Sequence, residues 1–247
     1  MRTFLLVILL LCYGTPATAN LAALIPGIKP SIVAIGIFNP TASPRVRLVG
    51  TGFVIAPGNR IITNYHVISG LTDDSRNEKY VVLSGQGKQI KMLDITDKAI
   101  APQYDLAMLK ISETLPALKL GNGPLLAEGS PVAFTGFPIL AVLGLYPATH
   151  TGIISAITPI AIPADNAIDL KSQALRRLEQ PYLIYQLDAT AYPGNSGSPL
   201  YRHDTGEVIG IINQVYVKSS REAVLSDPSG ITYAIPVQFI NSLLNQP

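Results

Sequence analysis

Ser196 lies close to two glycines, Gly194 and Gly197, in a segment that runs from Asp188 to Pro199. Because glycine adopts positive φ angles at little cost, such a segment can form a tight turn. A tight turn can expose one hydroxyl group and direct consecutive backbone N–H groups at one point. Nucleophilic acyl transfer requires that arrangement. On this pattern alone, an ordinary glycine-rich turn with a capping serine remains the alternative.

A nucleophilic serine needs a base, and the chain has three histidines. His66 follows a β-branched run and precedes a polar loop, whereas His150 precedes a predicted strand and His203 falls in an expected exposed turn. His66 therefore has the best setting for a general base, although a single histidine at a strand end is more often structural. Asp105 begins an alternating apolar run. It is either a solvated carboxylate at a strand edge or a buried one that fixes the tautomer of His66.

The composition describes a globular chain with a large core. Of its 247 residues, 48% are hydrophobic and 14% are charged, which suits one large or two small domains. The 20 glycines and 20 prolines indicate many turns and short strands. A formal net charge of +2 is too small to indicate a nucleic-acid or membrane partner.

Residues 1–19 have the pattern of a secretory signal peptide. Arg2 supplies a positive start, an apolar run follows, and Ala17-Thr18-Ala19 forms a small-x-small cleavage site. The apolar run is shorter than the ~20 residues that span a bilayer, so cleavage is favoured over a retained anchor. The single cysteine, Cys12, would be removed with this segment. We therefore expect an exported protein without disulfides, periplasmic or secreted.

Short β-rich runs punctuated by glycine and proline predict an all-β fold of barrels or a sandwich. The predicted strands are residues 31–37, 46–55, 60–63, 79–83, 89–95, 104–111, 131–135, 152–157, 182–187, 207–212 and 230–235. Helical patterns are few: a short helix or extended arm at 20–28, a helix at 165–179 and a short closing helix at 236–244. Gly121 to Pro124 reads as a linker, which predicts domains at 20–123, carrying His66 and Asp105, and 124–247, carrying Ser196.

The order His66, Asp105, Ser196 is the order found in chymotrypsin-like enzymes. The chain resembles these serine proteases, and most of all the protease domain of the bacterial HtrA (DegP-like) family. The resemblance covers almost the whole chain after the signal sequence at 1–19. The matching stretches are Ile28–Ile35, Gly50–Ile55, Ile61–Ile68, Tyr104–Ile111, Gly152–Ile157 and Pro193–Pro199.

The resemblance implies a fold of two six-stranded antiparallel β-barrels with short peripheral helices, and it implies residue roles. Ser196 is the expected nucleophile, His66 the base that takes and returns its proton, and Asp105 the acid that orients the imidazole. The backbone N–H groups of Gly194 and Ser196 are the expected oxyanion hole. No metal or cofactor is expected, because the sequence has no His-Glu-x-x-His run or cysteine cluster.

Several features depart from the family pattern. Ser198 stands where the family usually has a second glycine, and Tyr65 where it has a smaller or polar residue. The run from Thr158 to Gln180 is longer than usual, which suggests a surface insertion near the site entrance. We expect no PDZ domain after residue 247, and therefore no recognition of substrate C-termini by such a module.

Substrate preference is inferred from what the chain lacks. Thr190 stands where trypsin-like enzymes carry an acid, and Ile212 where glutamate-specific relatives carry a histidine. A pocket bordered by Thr190, Ala191 and Ile212 should accept a small or medium apolar side chain. The expected partners are protein or peptide substrates, with a homo-oligomer as a possible assembly.

Two other functions stay open at this point. One is a binding protein on a protease scaffold, because a fold does not fix a function. The other is a latent enzyme that assembly or a partner activates, with the loop 139–146 and the insertion 158–180 as regulatory elements. An intact triad in the expected order favours the active endopeptidase.

Overall fold

The structure, a computed structural model, describes residues 20–70, 77–139, 145–160, 181–213 and 230–245. Within these ranges twelve strands form two closed antiparallel barrels of six strands each. This confirms the predicted all-β, two-barrel fold. The signal sequence at 1–19, the helix predicted at 165–179 and most of the proposed insertion lie outside the described residues.

The first barrel follows the strand order β1-β2-β3-β6-β5-β4 and closes where β1 pairs with β4. Its strands are β1 Ile32–Phe38, β2 Val46–Ile55, β3 Arg60–Asn64, β4 Lys79–Gln86, β5 Gln89–Ala101 and β6 Leu106–Ile111. The β4–β5 pair is the predicted hairpin, with Gln86 opposite Gln89 at its tip.

The second barrel repeats the same strand order as β7-β8-β9-β12-β11-β10 and closes where β10 pairs with β7. Its strands are β7 Pro131–Gly136, β8 Ala148–Pro159, β9 Leu183–Asp188, β10 Pro199–Arg202, β11 Val208–Asn213 and β12 Ile231–Pro236. The proposed domain boundary between residues 123 and 124 lies in the connection between the barrels and stays a prediction.

Helices are short and lie outside the barrels. They are α1 Leu21–Ile28, α2 Tyr65–Ile68 and α3 Val237–Leu244, with 3₁₀ turns at Lys29–Ser31 and Pro102–Tyr104. The side chain of Asn20 caps α1 by accepting from the N–H of Ala22 at 3.0 Å. In the ranges described above, no helix is long and apolar enough to cross a membrane.

Strand alternation divides the buried side chains into three clusters. In β1, Val33 and Ile35 fill the first barrel, whereas Ile32 and Ala34 face a separate cluster. That cluster also contains residues of the second barrel and of α3, so it is the core between the barrels. A slip of one residue in β1 would exchange the two sets, and this fixes the strand register.

One strand was not predicted. The four residues of β10 begin with Pro199 directly after the glycine turn, and their sequence has no alternation long enough to read. Proline is tolerated as the first residue of a strand. β10 is a strand because it pairs with β7 and β11, although its own sequence does not predict one.

Candidate active site

His66 and Asp105 form a close pair at the end of the first barrel. His66 lies on α2, the short helical turn that follows β3, and Asp105 immediately precedes β6, the strand paired with β3. Atom Nδ1 of the imidazole lies 2.7 Å from Oδ2 of Asp105, and the backbone N–H of His66 donates to Oδ1 at 2.8 Å. The carboxylate thus holds both the ring and the backbone of His66.

The backbone of Asp105 is itself fixed. Its φ of 53° and ψ of 42° lie in the left-handed region, which aspartate tolerates better than most residues. Its carbonyl accepts from the N–H of Tyr65 at 3.0 Å and from Nδ2 of Asn64 at 3.2 Å. This bend ends the 3₁₀ turn and directs the carboxyl group toward α2.

Asn213, at the end of β11, joins the pair from the second barrel. Its Nδ2 donates to Oδ2 of Asp105 at 2.9 Å, and both side chains are buried. Sequence reasoning missed this residue, because Asn213 and Asp105 are 108 positions apart and neither carries a local pattern that connects them.

The contacts of the carboxylate define the tautomer of His66. An ionised carboxylate only accepts hydrogen bonds, so Nδ1 carries the proton and Nε2 keeps a free lone pair. The imidazole side chain is 30% exposed, whereas that of Asp105 is 7% exposed. In the described part of the chain, the ring makes its one hydrogen bond to Asp105. Nε2 can therefore accept a proton from a neighbouring group.

The segment around Ser196 forms the tight turn that its glycines predict. Gly194 has φ of 104° and Gly197 has φ of 89°, and residues other than glycine rarely adopt these backbone angles. The N–H of Ile139 donates to the carbonyl of Pro193 at 2.7 Å. Ile139 itself has a φ of 47°, which is uncommon for a β-branched residue.

Thr51 on β2 connects this turn to the first barrel. Its N–H donates to the carbonyl of Ser196 at 2.9 Å, and its hydroxyl donates to the carbonyl of Gly194 at 2.7 Å. The same hydroxyl accepts from the N–H of Phe137 at 3.1 Å. One threonine therefore fixes the serine turn of the second barrel on a strand of the first.

Two glycines permit the serine turn to pack closely against the strands that precede His66 and against α2. A Cβ atom on Gly197 would overlap the carbonyl of Thr51 and lie 2.6 Å from Oγ1 of Thr63, three residues before His66. A Cβ on Gly50 would lie 2.8 Å from the side chain of Val67 and 3.2 Å from the carbonyl of Ser196. The neighbours of His66 and the backbone of Ser196 therefore pack against the same strand.

The residues predicted to border the substrate pocket lie beside this turn. Thr190 is half-buried, Ala191 is 8% exposed, and Ile212 is fully buried in the second barrel. The turn and β11 are hydrogen-bonded, since Gly197 N–H donates to the carbonyl of Ile212 at 3.1 Å. Their role in substrate binding stays a prediction.

His150 is a second histidine near the turn, but its setting is apolar. Its ring stacks on Phe134 with centroids 4.9 Å apart and lies 6.0 Å from the ring of Tyr192. Burial lowers the pKa of His150, which favours the neutral ring. Among the described residues, no group of three or more His, Cys, Asp or Glu side chains could hold a metal ion.

These features define a class of protein. Two antiparallel six-stranded barrels, with a histidine–aspartate pair and a glycine-flanked serine turn where they meet, make a chymotrypsin-like fold. A family model described as the trypsin-like peptidase domain matches residues 50–211, more than half of the chain. The chain belongs to this family.

Comparison with curated proteins confirms the resemblance to the DegP-like branch. A probable periplasmic serine endoprotease, DegP-like, of Marinomonas sp. (strain MWYL1) is 33% identical over 199 residues, which is 80% of this chain and 35% of that protein. The putative serine protease HhoB of Synechocystis sp. is 28% identical over 200 residues, 81% of this chain and 40% of that protein. The chain thus spans little more than a third of the length of such relatives.

Solved structures share the architecture. Deg5 is 25% identical to this chain with a TM-score of 0.61, and the match covers 90% of both chains. The HtrA-type protease AlgW, solved with a tripeptide, is 23% identical with a TM-score of 0.61, covering 91% of this chain and 62% of that one. The second likeness shows the fold alone.

Proposed function

We propose that this protein is a serine endopeptidase that cleaves peptide bonds through a covalent acyl-enzyme. The observation that carries the proposal is the Asp105–His66 pair, which leaves Nε2 as the acceptor, beside a glycine-flanked serine turn. Ser196 is the nucleophile, His66 the general base and acid, and Asp105 the group that orients the imidazole. Family membership supports the same assignment.

The reaction follows from these roles. Nε2 of His66 takes the hydroxyl proton as Oγ of Ser196 attacks the scissile carbonyl carbon. The resulting imidazolium is stabilised by Asp105 and returns the proton to the leaving amine as the carbon–nitrogen bond breaks. Water, activated by the same ring, then attacks the ester and releases the new carboxyl terminus. The serine recovers its proton from His66.

The backbone N–H groups of Gly194 and Ser196 are the proposed oxyanion hole. Across a trans peptide bond, the carbonyl and the N–H point in opposite directions. Since the carbonyl of Pro193 is held by the N–H of Ile139, the N–H of Gly194 is directed away from that contact. One such donor is worth roughly a 100- to 1,000-fold gain in rate.

The proposed substrates are proteins or peptides cleaved after a small or medium apolar residue, with Thr190, Ala191 and Ile212 at the pocket. Ala191 and Ile212 carry no charge, and both lie in the apolar core of the second barrel. We place the enzyme in the periplasm or outside the cell. The predicted signal peptide and relatives whose names describe them as periplasmic support this location.

A fluorophosphonate probe tests the catalytic assignment. We expect one covalent adduct on Ser196, found by peptide mapping, and none in the Ser196→Ala variant. His66→Ala should label at least 100-fold more slowly while its thermal unfolding stays close to that of the parent. The matched control is Ser198→Ala, two residues away, which should keep its labelling at Ser196. Folded parent protein without an adduct at Ser196 would contradict the proposal and favour a binding protein on this scaffold.

A further inference from the structure

His150 on β8 is a half-buried ionisable side chain that the proposed reaction does not use. Its ring stacks on that of Phe134 on β7, with centroids 4.9 Å apart and ring planes 16° from parallel. The ring of Tyr192 also lies close to that of His150, tilted by 45° with centroids 6.0 Å apart. Both distances are typical of interacting aromatic rings. His150 therefore connects the second barrel to the segment that leads to Ser196.

Tyr192 is the first residue of the turn that carries the proposed nucleophile. Its carbonyl accepts from the N–H of Asn195 at 2.9 Å, and this hydrogen bond spans Gly194, a residue of the proposed oxyanion hole. Ser196 follows Asn195 directly in the chain. A shift of Tyr192 would therefore displace both the N–H groups of the proposed oxyanion hole and the hydroxyl of Ser196.

The imidazole of His150 suits its apolar setting only in the neutral form. Its Nε2 atom is buried and has no hydrogen-bond partner among the described residues. Burial lowers the pKa of His150, and no charged side chain among those residues contributes to the shift. In an imidazolium both ring nitrogens are donors. Protonation would therefore leave the buried Nε2 as a donor without an acceptor and add a charge to an apolar interior, and both are costly.

The described side chains that face His150 cannot balance such a charge. Phe134 is apolar, and Tyr192 is a phenol, a group that carries no charge in the acidic range. The strands paired with β8 add one carboxylate, that of Asp188, which lies opposite Ile153 and is exposed. The attraction of an imidazolium for aromatic faces acts in the opposite direction. Burial outweighs it, because removing a charged group from water costs more than such an attraction contributes.

We propose that His150 is a positioning residue for the serine turn and that only its neutral ring holds Tyr192 in place. Protonation of the ring displaces Tyr192, and Ser196 and the N–H of Gly194 then leave the arrangement that attack on the substrate requires. The inference rests on the proposed endopeptidase function and adds a pH-dependent control of the same site. It is separate from the role of His66, which follows a strand of the first barrel, whereas His150 lies in the second.

The pH window follows from the direction of the pKa shift. An exposed histidine titrates near about pH 6.5, and His150 takes up its proton only at a lower pH because its ring is buried. Between these two pH values the unfolded chain binds a proton that the native protein does not bind. The stability that the neutral ring contributes is therefore lost as the pH falls through this window. We expect the serine turn to be in place at neutral pH and displaced in the acidic range.

His150→Phe is the direct test, because phenylalanine keeps an aromatic ring at this position but cannot be protonated. The ratio of kcat/KM of the parent to kcat/KM of this variant cancels the titration of His66, which both proteins share. We expect a ratio within about threefold of one at about pH 7.5 and a fall of at least about 10-fold by about pH 4. A ratio that stays constant over this range, or that rises toward acidic pH, would overturn the proposal.

His150→Gln serves if the phenylalanine variant does not fold. Glutamine carries no charge at any pH but lacks the ring, so kcat at neutral pH should drop about 10-fold with KM nearly unchanged, the scale of one lost aromatic contact. The parent-to-variant ratio should still fall toward acidic pH. Full kcat in folded His150→Gln at neutral pH would show that the ring does not position the turn. The matched control is His203→Gln, in the connection between β10 and β11, which should keep the kcat and the pH profile of the parent.

Labelling of Ser196 by the fluorophosphonate at neutral pH distinguishes failure of this proposal from failure of the peptidase proposal. Circular dichroism at each pH shows whether the compared proteins are folded. If Ser196 is labelled and peptides are cleaved, but the parent and His150→Phe have the same pH profile, the His150 proposal is wrong and the peptidase proposal stands. If Ser196 is not labelled in the folded parent, the peptidase proposal fails, and the His150 proposal fails with it.

Discussion

At the scale of single residues, Asp105 receives its hydrogen bonds from both barrels. His66 is held by the ring and backbone contacts of the carboxylate, while Asn213 reaches the same Oδ2 atom from β11. The orientation of the acid therefore depends on a residue outside the expected triad.

We expect Asn213→Ala to lower kcat about 10- to 100-fold with little change in KM. A hydrogen bond to a charged group contributes roughly 1.5–3 kcal/mol, and each 1.4 kcal/mol is a tenfold change in rate. The substitution removes the amide donor to Oδ2 of Asp105. Steady-state kinetics on one peptide substrate measure the split between kcat and KM.

Asn213→Asp is the companion variant. It replaces the donor by a second carboxylate facing Asp105, and like charges in a buried site repel. The loss of kcat should exceed that of the alanine variant. Equal kcat in the parent and both variants would show that this contact does not support the reaction.

The triad candidates could be predicted because each lies in a recognisable local sequence pattern. These patterns are a glycine-flanked serine, a histidine after a predicted strand and an acid at the start of another. Asn213 carries no such pattern. Its role arises from a side-chain amide that meets a carboxylate 108 positions away. Such contacts are determined by strand register, which a single sequence does not specify.

At the scale of elements, the end of β7 packs directly under the serine turn. A Cβ on Gly136 would overlap Oγ of Ser198 and lie 2.9 Å from Oδ1 of Asn195 and 3.0 Å from Oγ1 of Thr51. Ser198, Asn195 and Thr51 are fully buried. The end of β7 can pack this closely against the turn only because residue 136 is glycine.

We expect Gly136→Ala to reduce kcat about 100-fold and to destabilise the protein by about 1–3 kcal/mol, the usual cost of overpacking. The added methyl group pushes the turn that carries Ser196, and a displacement of about 1 Å costs on the order of 100-fold in rate. Kinetics and chemical denaturation of the same preparation measure both effects.

The matched control combines Gly136→Ala with Ser198→Gly. Removing the Ser198 hydroxyl takes away the nearest overlapping atom, so the double variant should recover part of the lost activity. If the two substitutions act additively, with no rescue, the methyl group does not act through Ser198.

Elements with a long β-rich pattern were predicted close to their observed bounds, as for β2 and β12. β10 was missed because its four residues have no pattern apart from their partners. The hairpin strand β5 was predicted too short: it continues to Ala101, past Asp97 and Lys98, which interrupt the apolar alternation on an exposed face. Pairing with β6 extends it past that point.

At the scale of the whole molecule, Thr51 joins the two barrels beneath the serine turn. We expect Thr51→Val to lower the free energy of unfolding by about 2 kcal/mol and kcat by at least 10-fold. Valine keeps the shape but leaves the carbonyl of Gly194 and the N–H of Phe137 unpaired, and such groups cost ~1–3 kcal/mol when buried. Urea denaturation and steady-state kinetics are the measurements.

Thr96→Val provides the comparison. The hydroxyl of Thr96 also donates to a backbone carbonyl, that of Lys110 at 3.1 Å, but on an exposed strand. Stability should change by less than about 0.5 kcal/mol and kcat should stay the same. Similar losses of unfolding free energy and kcat in the two variants would mean that the Thr51 hydroxyl contributes no more than an exposed threonine does.

The shared core between the barrels also bears on how unfolding affects activity. The proposed acid and base come from one barrel and the proposed nucleophile from the other, and Ile32 and Ala34 pack in a cluster that includes residues of both barrels. Because the proposed triad needs both barrels in place, we expect partial unfolding of either barrel to abolish peptide cleavage. A heat-damaged copy of the proposed peptidase should therefore not degrade neighbouring proteins.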